Sequence, residues 1–314
     1  MNHVAEDIQR QGMLPIVYAG NFLQAVGAAK ALAEENMKIV EFPWDDKITL
    51  RILEDVGKEC QGIRFGCSHI LDPRQAKEAA SVSAQFLVVS ALNRETIACG
   101  RELGLTVFPV AGTLDEIEAA INQGFDRICI EPVTFLGGPE LFYELKRKYS
   151  GIRFMPRGGI TTETAEDYLS FSNVFACGGD WLAPERLMAM SSWDDIRTKA
   201  ADAMYAMLGF RILSIDFTAS AEPAYTALWF PEMFRLKESI VFTEETFPAN
   251  ACVRITVSTN HIKRSVAYLQ SKGCKLLVDE APKNAKGGYP YIYLEDTING
   301  TCIRLFQKNS REDG

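Results

Sequence analysis

Apolar residues in the first two-thirds of the chain come mostly in short continuous runs. The runs are Leu14–Tyr18, Lys38–Phe42, Ile63–Cys67, Phe86–Ser90, Thr106–Val110, Arg127–Glu131, Arg153–Arg157 and Val174–Gly178, and they start 20 to 26 residues apart. Such runs predict strands covered on both faces, as in a parallel sheet. The stretches between them read as helices. Asn21–Glu35 places Phe22, Leu23, Ala25, Val26, Ala29, Leu32 and Ala33 at helical spacing. Thr113, with Glu116 three residues on, is a capping box, and Thr162–Leu169 follows a Gly-Gly-Ile turn in the same way. Eight βα units at this period predict an α/β fold, a compact (β/α)8 TIM barrel, over residues 1–206. The competing arrangement is an open doubly wound sheet, but no GxGxxG follows the first strand and the even spacing favours closure.

After Ala206 the period breaks. Leu208–Thr218, Ile240–Thr246, Ala251–Ser258, Leu276–Asp279, Tyr289–Leu294 and Thr301–Phe306 read as strands, and His261–Ser271 as an amphipathic helix. Asn299-Gly300 is a hairpin turn signal. Residues 207–314 are therefore expected to form a small α+β domain.

Charge narrows the function. Lys and Arg number 33 against 41 Asp and Glu, a net charge of −8. That argues against nucleic acid or an anionic membrane as partner, since both require clustered positive charge. A small anionic substrate or ligand needs only one local arginine or helix N-terminus. Met1–Met13 has no apolar stretch of signal-peptide type, and no run approaches a membrane span. The eight cysteines are scattered without a CxxC pair and read as reduced thiols of a cytoplasmic protein. The polar tail, Asn309–Gly314, is expected to fray. Nothing in the sequence names a cofactor.

Chemistry in a barrel sits at the C-terminal strand ends, and there the sequence carries Lys38-Ile-Val-Glu-Phe42, Arg127-Ile-Cys-Ile-Glu-Pro132 with Gly137-Gly138 behind it, Met155-Pro-Arg-Gly-Gly-Ile160 and Ala176-Cys-Gly-Gly-Asp-Trp-Leu182. Over roughly residues 10–205 this resembles the 2-keto-3-deoxy-6-phosphogluconate / 4-hydroxy-2-oxoglutarate aldolase family. The resemblance implies a trimeric barrel that cleaves an anionic 2-keto acid to pyruvate and an aldehyde through a lysine Schiff base. It also implies that Glu41 is the general base. The Schiff-base lysine falls at Cys129, whose thiol cannot form an imine. Asp45 stands where the family has a substrate-contacting arginine, and Ser68-His69 where it has Gly-Thr. Arg157 replaces a Thr and Asp180 a Ser.

Each residue has a bland reading beside the functional one. Glu41 is a base in the mouth, or a carboxylate paired with Arg157. Cys129 is a nucleophile, or a small apolar core residue. His69 is an oxyanion donor or proton switch, or a surface helix cap. Arg157-Gly158-Gly159 and Gly178-Gly179, each expected to open a helix, bind a phosphate or carboxylate, or Arg157 and Asp180 close the site as a salt bridge. Glu41, His69, Glu131 and Asp180 are types that bind a divalent cation. The C-terminal pattern around Arg254-Ile-Thr-Val-Ser258 and Ile303-Arg-Leu-Phe306 resembles half of a glyoxalase/dioxygenase-type (vicinal-oxygen-chelate) domain. That family's metal ligands fall at Arg254 and Arg304, which argues against a metal there; arginines facing solvent are expected, inward ones binding an anion the alternative. Two functions stand open: an aldolase-family lyase with a non-standard site, and a catalytically inactive barrel that binds or senses a small anionic ligand.

Overall fold

The computed structural model describes residues 3–44, 50–90, 92–218, 240–243, 245–284 and 288–308. Asp45 and the tail from Asn309 lie outside the described residues. The chain divides into two compact units, Met1–Met207 and Leu208–Gly314.

The first unit is a curled parallel sheet with helices between its strands. The strands are β1 (Met13–Pro15), β2 (Ile39–Pro43), β3 (Arg64–Ile70), β4 (Phe86–Val89), β5 (Thr106–Ala111), β6 (Arg127–Ile130), β7 (Arg153–Pro156) and β8 (Cys177–Gly179). β2 to β7 pair in chain order as one sheet, and β1 pairs with β8. Single parallel bridges, Ile16–Glu41 and Phe154–Val174, lie between β1 and β2 and between β7 and β8. Every predicted strand exists within a few residues of its expected bounds. β3 runs three residues further than expected, through a register shift between Cys67 and Ile70, so His69 belongs to the strand and not to a helix cap.

Helix starts follow local chemistry. Asn21 accepts from the Gln24 N–H ahead of α2 (Phe22–Glu34), and Asp72 from the Gln75 N–H ahead of α4 (Pro73–Ser81). Thr113 caps α6 (Leu114–Asn122), although the Glu116 carboxylate reaches back to the Gly112 N–H at 2.7 Å and not to its own cap. α8 (Thr162–Leu169) has the predicted bounds and a reciprocal Thr161–Thr164 box. The helix expected directly after Gly178-Gly179 is absent. Both glycines end in β8, and the next helix, α9 (Glu185–Ala189), begins six residues later behind Pro184.

The polar N-terminus carried no expectation of structure, yet it forms α1 (Val4–Gln11). Its short apolar side, Val4, Ala5 and Ile8, joins the cluster of Leu14, Ile39, Phe86, Phe108, Cys129, Met155 and Phe175 inside the curl. Its polar side meets residues that start three strands: Asp7 pairs with Arg64 at 2.7 Å, Glu6 with Arg127 at 3.1 Å, and Gln9 accepts from Arg153 at 2.6 Å. α1 thus covers the N-terminal end of the sheet and leaves the C-terminal edge for chemistry.

The second unit is a five-stranded sheet of order β10-β9-β11-β13-β12, built from β9 (Arg211–Thr218), β10 (Ile240–Thr243), β11 (Val253–Thr259), β12 (Tyr291–Tyr293) and β13 (Thr301–Gln307). Asn299 and Gly300 both take positive φ, 49° and 76°, as the hairpin signal requires. Leu276–Asp279, expected as a strand, contributes only a bridge from Leu276 to Leu294. Ile262, Val266 and Leu269 of α11 (Ile262–Ser271) pack on Val257, Ile292 and Leu305, so one face of this sheet is covered by the helix.

Removing the buried anchor of α1 tests its place in the core. Ile8→Ala is expected to cost about 2–5 kcal/mol of unfolding free energy, read from urea denaturation; a loss under about 0.5 kcal/mol would detach α1 from that core.

Candidate functional site

The C-terminal edge of the curled sheet gathers the candidate residues around one guanidinium. Arg157 follows β7 directly. Its N–H donates to the Ile130 carbonyl at 2.9 Å, and its own carbonyl accepts from the Val133 N–H at 2.8 Å, so the backbone is held from both sides. Its side chain crosses β8, where a Cβ on Gly178 would come within 3.0 Å of the Arg157 Cγ. Gly178 is therefore the space for the arginine stem, not part of a phosphate loop. Gly158 and Gly159 both have φ of 81°. A Cβ on Gly159 would lie 2.6 Å from the Thr134 hydroxyl, and one on Gly158 3.2 Å from the Pro132 Cα. Close approach to the segment after β6 is the reason for glycine at both positions. A side chain on Gly179 would collide with the Trp181 ring.

Arg157 and Glu41 form a buried bidentate pair. Nη1 and Nη2 of Arg157 donate to Oε2 and Oε1 of Glu41, each at 2.8 Å, and the two side chains are 2% and 0% exposed. Burial pulls the Arg157 pKa down, but the charges of Glu41, Cys129 and Glu131 and the Glu41 hydrogen bonds outweigh it, and the pKa is raised. Glu131, one-third exposed, brings Oε2 to 3.2 Å from the Arg157 Nε. That ion contact is not an aligned hydrogen bond, and Nε is left buried without an acceptor among the described residues. Arg157 thus pairs with Glu41 and Glu131, not with Asp180, which is exposed after β8.

The pair changes what the predicted residues can do. Both carboxylate oxygens of Glu41 are taken up by the Arg157 fork, which places Glu41 as the counter-ion of Arg157. The Arg157 fork, expected to anchor a ligand, spends both Nη groups on Glu41. Cys129 lies wholly inside the hydrophobic cluster. Burial is the largest influence on its thiol; Arg157 opposes it, Glu41 and Glu131 reinforce it, and the pKa is pushed up to about 12. Its place in the core fits the reading of Cys129 as a small apolar residue.

His69 is exposed, at φ 59°, with its ring 6.3 Å from that of Tyr18. Tyr18, just beyond β1, was not a candidate from sequence, although it ends the first apolar run at a C-terminal strand end. Burial raises its pKa; Arg157 lowers it, and Glu131, Glu41 and Asp180 raise it, so all four charges bear on one phenol. The metal set considered from sequence does not assemble. Among the described residues no group of three His, Cys, Asp or Glu could hold an ion, and Glu41 and Glu131 are turned to Arg157.

The family model for KDPG and KHG aldolase matches residues 4–199, more than half of the chain. The chain belongs to that family. This aldolase-family chain is 27% identical over 193 residues to a 2-dehydro-3-deoxy-phosphogluconate aldolase of Treponema pallidum, covering 62% of this chain and 92% of that protein. It is 25% identical over 201 residues to the KHG/KDPG aldolase of Escherichia coli, covering 64% and 94%. Among solved structures, the 2-keto-3-deoxy-6-phosphogluconate aldolase of Zymomonas mobilis, with 3-phosphoglycerate, superposes with a TM-score of 0.60 at 20% identity, over 65% of this chain and 96% of that one. The matched region ends at residue 199, before the second unit begins at Leu208. No helix among the described residues is long and apolar enough to cross a membrane.

The thiol assignment is testable by alkylation. At pH 8 with iodoacetamide, peptide mapping is expected to find exposed Cys252 labelled and Cys129 unmodified, because a group with its pKa near 12 forms thiolate only as pH climbs toward that value. Cys129 labelled as fast as Cys252 would contradict it.

Proposed function

We propose that the first unit binds a small anionic 2-oxo acid, of the 2-keto-3-deoxy-6-phosphogluconate or 4-hydroxy-2-oxoglutarate type, through Arg157, and that no imine forms. Family membership supports the ligand class. The observation that carries the reading is the Arg157 Nε, which has an ion contact to Glu131 but no aligned hydrogen-bond acceptor among the described residues. Its neighbour Glu131 is part-exposed and poorly aligned, so a ligand carboxylate can take its place while Glu41 keeps the guanidinium fixed. This exchange also answers the charge problem. With Glu131 turned in, Glu41, Glu131 and Asp180 outnumber Arg157, and a second anion enters only where one of them withdraws.

The absence of lysine from the C-terminal strand ends of the described residues supports the non-imine part. A Legionella pneumophila relative has been captured with pyruvate as a covalent carbinolamine; here Cys129 stands where the resemblance puts the lysine, and it cannot supply the amine. The geometry favours binding without turnover, since the family base is locked in an ion pair. A lyase reading keeps one specific support. The Tyr18 phenol feels the charges of Arg157, Glu131, Glu41 and Asp180, so proton transfer to a bound 2-oxo acid has a candidate outside Glu41.

The same proposal extends to the setting. Ring closure into a (β/α)8 barrel is supported by the two bridges between the sheet segments. The trimer, the cytoplasmic location and the glyoxalase-like character of residues 207–314 are carried over from the resemblances.

Incubation with pyruvate and borohydride is expected to leave the mass unchanged, and calorimetry to show Glu131→Gln binding pyruvate several-fold tighter than the parent. A stable adduct would overturn the non-imine reading, and unchanged affinity would overturn the exchange at Arg157. Pyruvate released from 2-keto-3-deoxy-6-phosphogluconate and abolished by Tyr18→Phe would decide for the lyase.

A further inference from the structure

We infer that the face of the second unit's sheet opposite α11 is a binding site for a small oxyanion, a carboxylate or phosphate, held between Arg254 and Arg304. The inference is independent of the reading of the first unit.

Ladder register defines the face. Asp216 sits opposite Arg254, and Arg254 opposite Cys302; Thr256 sits opposite Arg304, and Arg304 opposite Tyr293. Side chains alternate along a strand, and α11 packs on Val257, Ile292 and Leu305, so these polar residues occupy the other side. The expectation that the two arginines face solvent does not hold. Arg254 is 7% exposed and Arg304 19%.

Among the described residues the charges do not balance inside this face. Arg254 Nε donates to Asp216 Oδ2 at 2.7 Å, and its Nη1 to the Tyr293 hydroxyl at 3.2 Å. Thr256 donates to the same Asp216 oxygen at 3.3 Å. Arg304 comes only to 3.9 Å of that oxygen, beyond hydrogen-bond range, and its Nε is buried without an acceptor among the described residues. One buried carboxylate therefore serves two guanidiniums. The further neutralising group on Arg254 is Glu245 at 2.8 Å, whose side chain is 64% exposed. A largely solvated rim carboxylate can be exchanged for a ligand oxyanion without stranding a charge.

Stacking prepares both arginines for such a ligand. The Phe247 ring lies 4.5 Å from the Arg254 guanidinium and the Tyr291 ring 5.6 Å from that of Arg304. Rings over the faces hold the guanidiniums in place and leave their N–H edges for planar or tetrahedral oxygen pairs. The cationic residues at these positions repel a metal ion, so the face suits the opposite charge.

The test is calorimetric titration of the full chain with inorganic phosphate and, separately, with succinate, in chloride buffer. At least one is expected to bind saturably, which also identifies the oxyanion. Arg304→Gln should weaken that binding about tenfold or more, and Glu245→Gln, which removes the competitor, should tighten it. No saturable binding by either probe overturns the inference, as does parental affinity in Arg304→Gln. If Arg304→Gln fails to fold by circular dichroism, Glu245→Gln decides: tighter binding supports the site, and equal or weaker binding overturns it.

Discussion

The C-terminal edge of the first unit depends on the ion pair of Arg157 and Glu41. Both groups are out of water, and a buried charge persists only with a partner in good geometry. Two parallel hydrogen bonds of 2.8 Å supply that geometry. The rest of the edge is arranged to permit it. Gly178 leaves room for the arginine stem, the backbone of Arg157 is tied to β6 and to Val133, and Cys129 beneath it is small and neutral.

Much of this was legible in the sequence, for physical reasons. Strands buried on both faces leave continuous apolar runs, which is why all eight appeared near their true bounds. Asn299-Gly300 was legible because few residues other than glycine and asparagine accept positive φ in succession. The α1 helix was not, since its apolar face is only Val4, Ala5 and Ile8, and its remaining contacts are polar bonds to Arg64, Arg127 and Arg153 that no periodicity records. His69 read as an oxyanion donor or a helix cap, and not as a strand residue, because a register shift in β3 has no signature in composition.

The site itself was half legible. Position along the strands identified Glu41, Cys129 and Arg157, and a Glu41–Arg157 pair was one of the readings left open. What no strand-by-strand reading supplies is convergence. Asp180 was a partner considered for Arg157 beside Glu41, and the second contact of Arg157 is instead to Glu131. Tyr18 was missed because a lone tyrosine at a strand end resembles a core residue until the charges around it are placed.

The two units share one device. In each, a buried arginine is fixed by a buried carboxylate, Arg157 by Glu41 and Arg254 by Asp216, while a more exposed glutamate, Glu131 or Glu245, stands at the outer edge. The inner partner positions the guanidinium; the outer one is replaceable. A chain of net charge −8 thereby keeps local cationic edges.

The central claim is that Glu41 and Arg157 exist for each other. A double-mutant cycle of Glu41→Gln and Arg157→Gln, read by urea unfolding, tests it directly. Each single change strands a buried charge and is expected to cost about 3–5 kcal/mol, with the double change costing well below their sum. Losses that add to within about 0.5 kcal/mol would mean the two residues act independently, and would contradict the account.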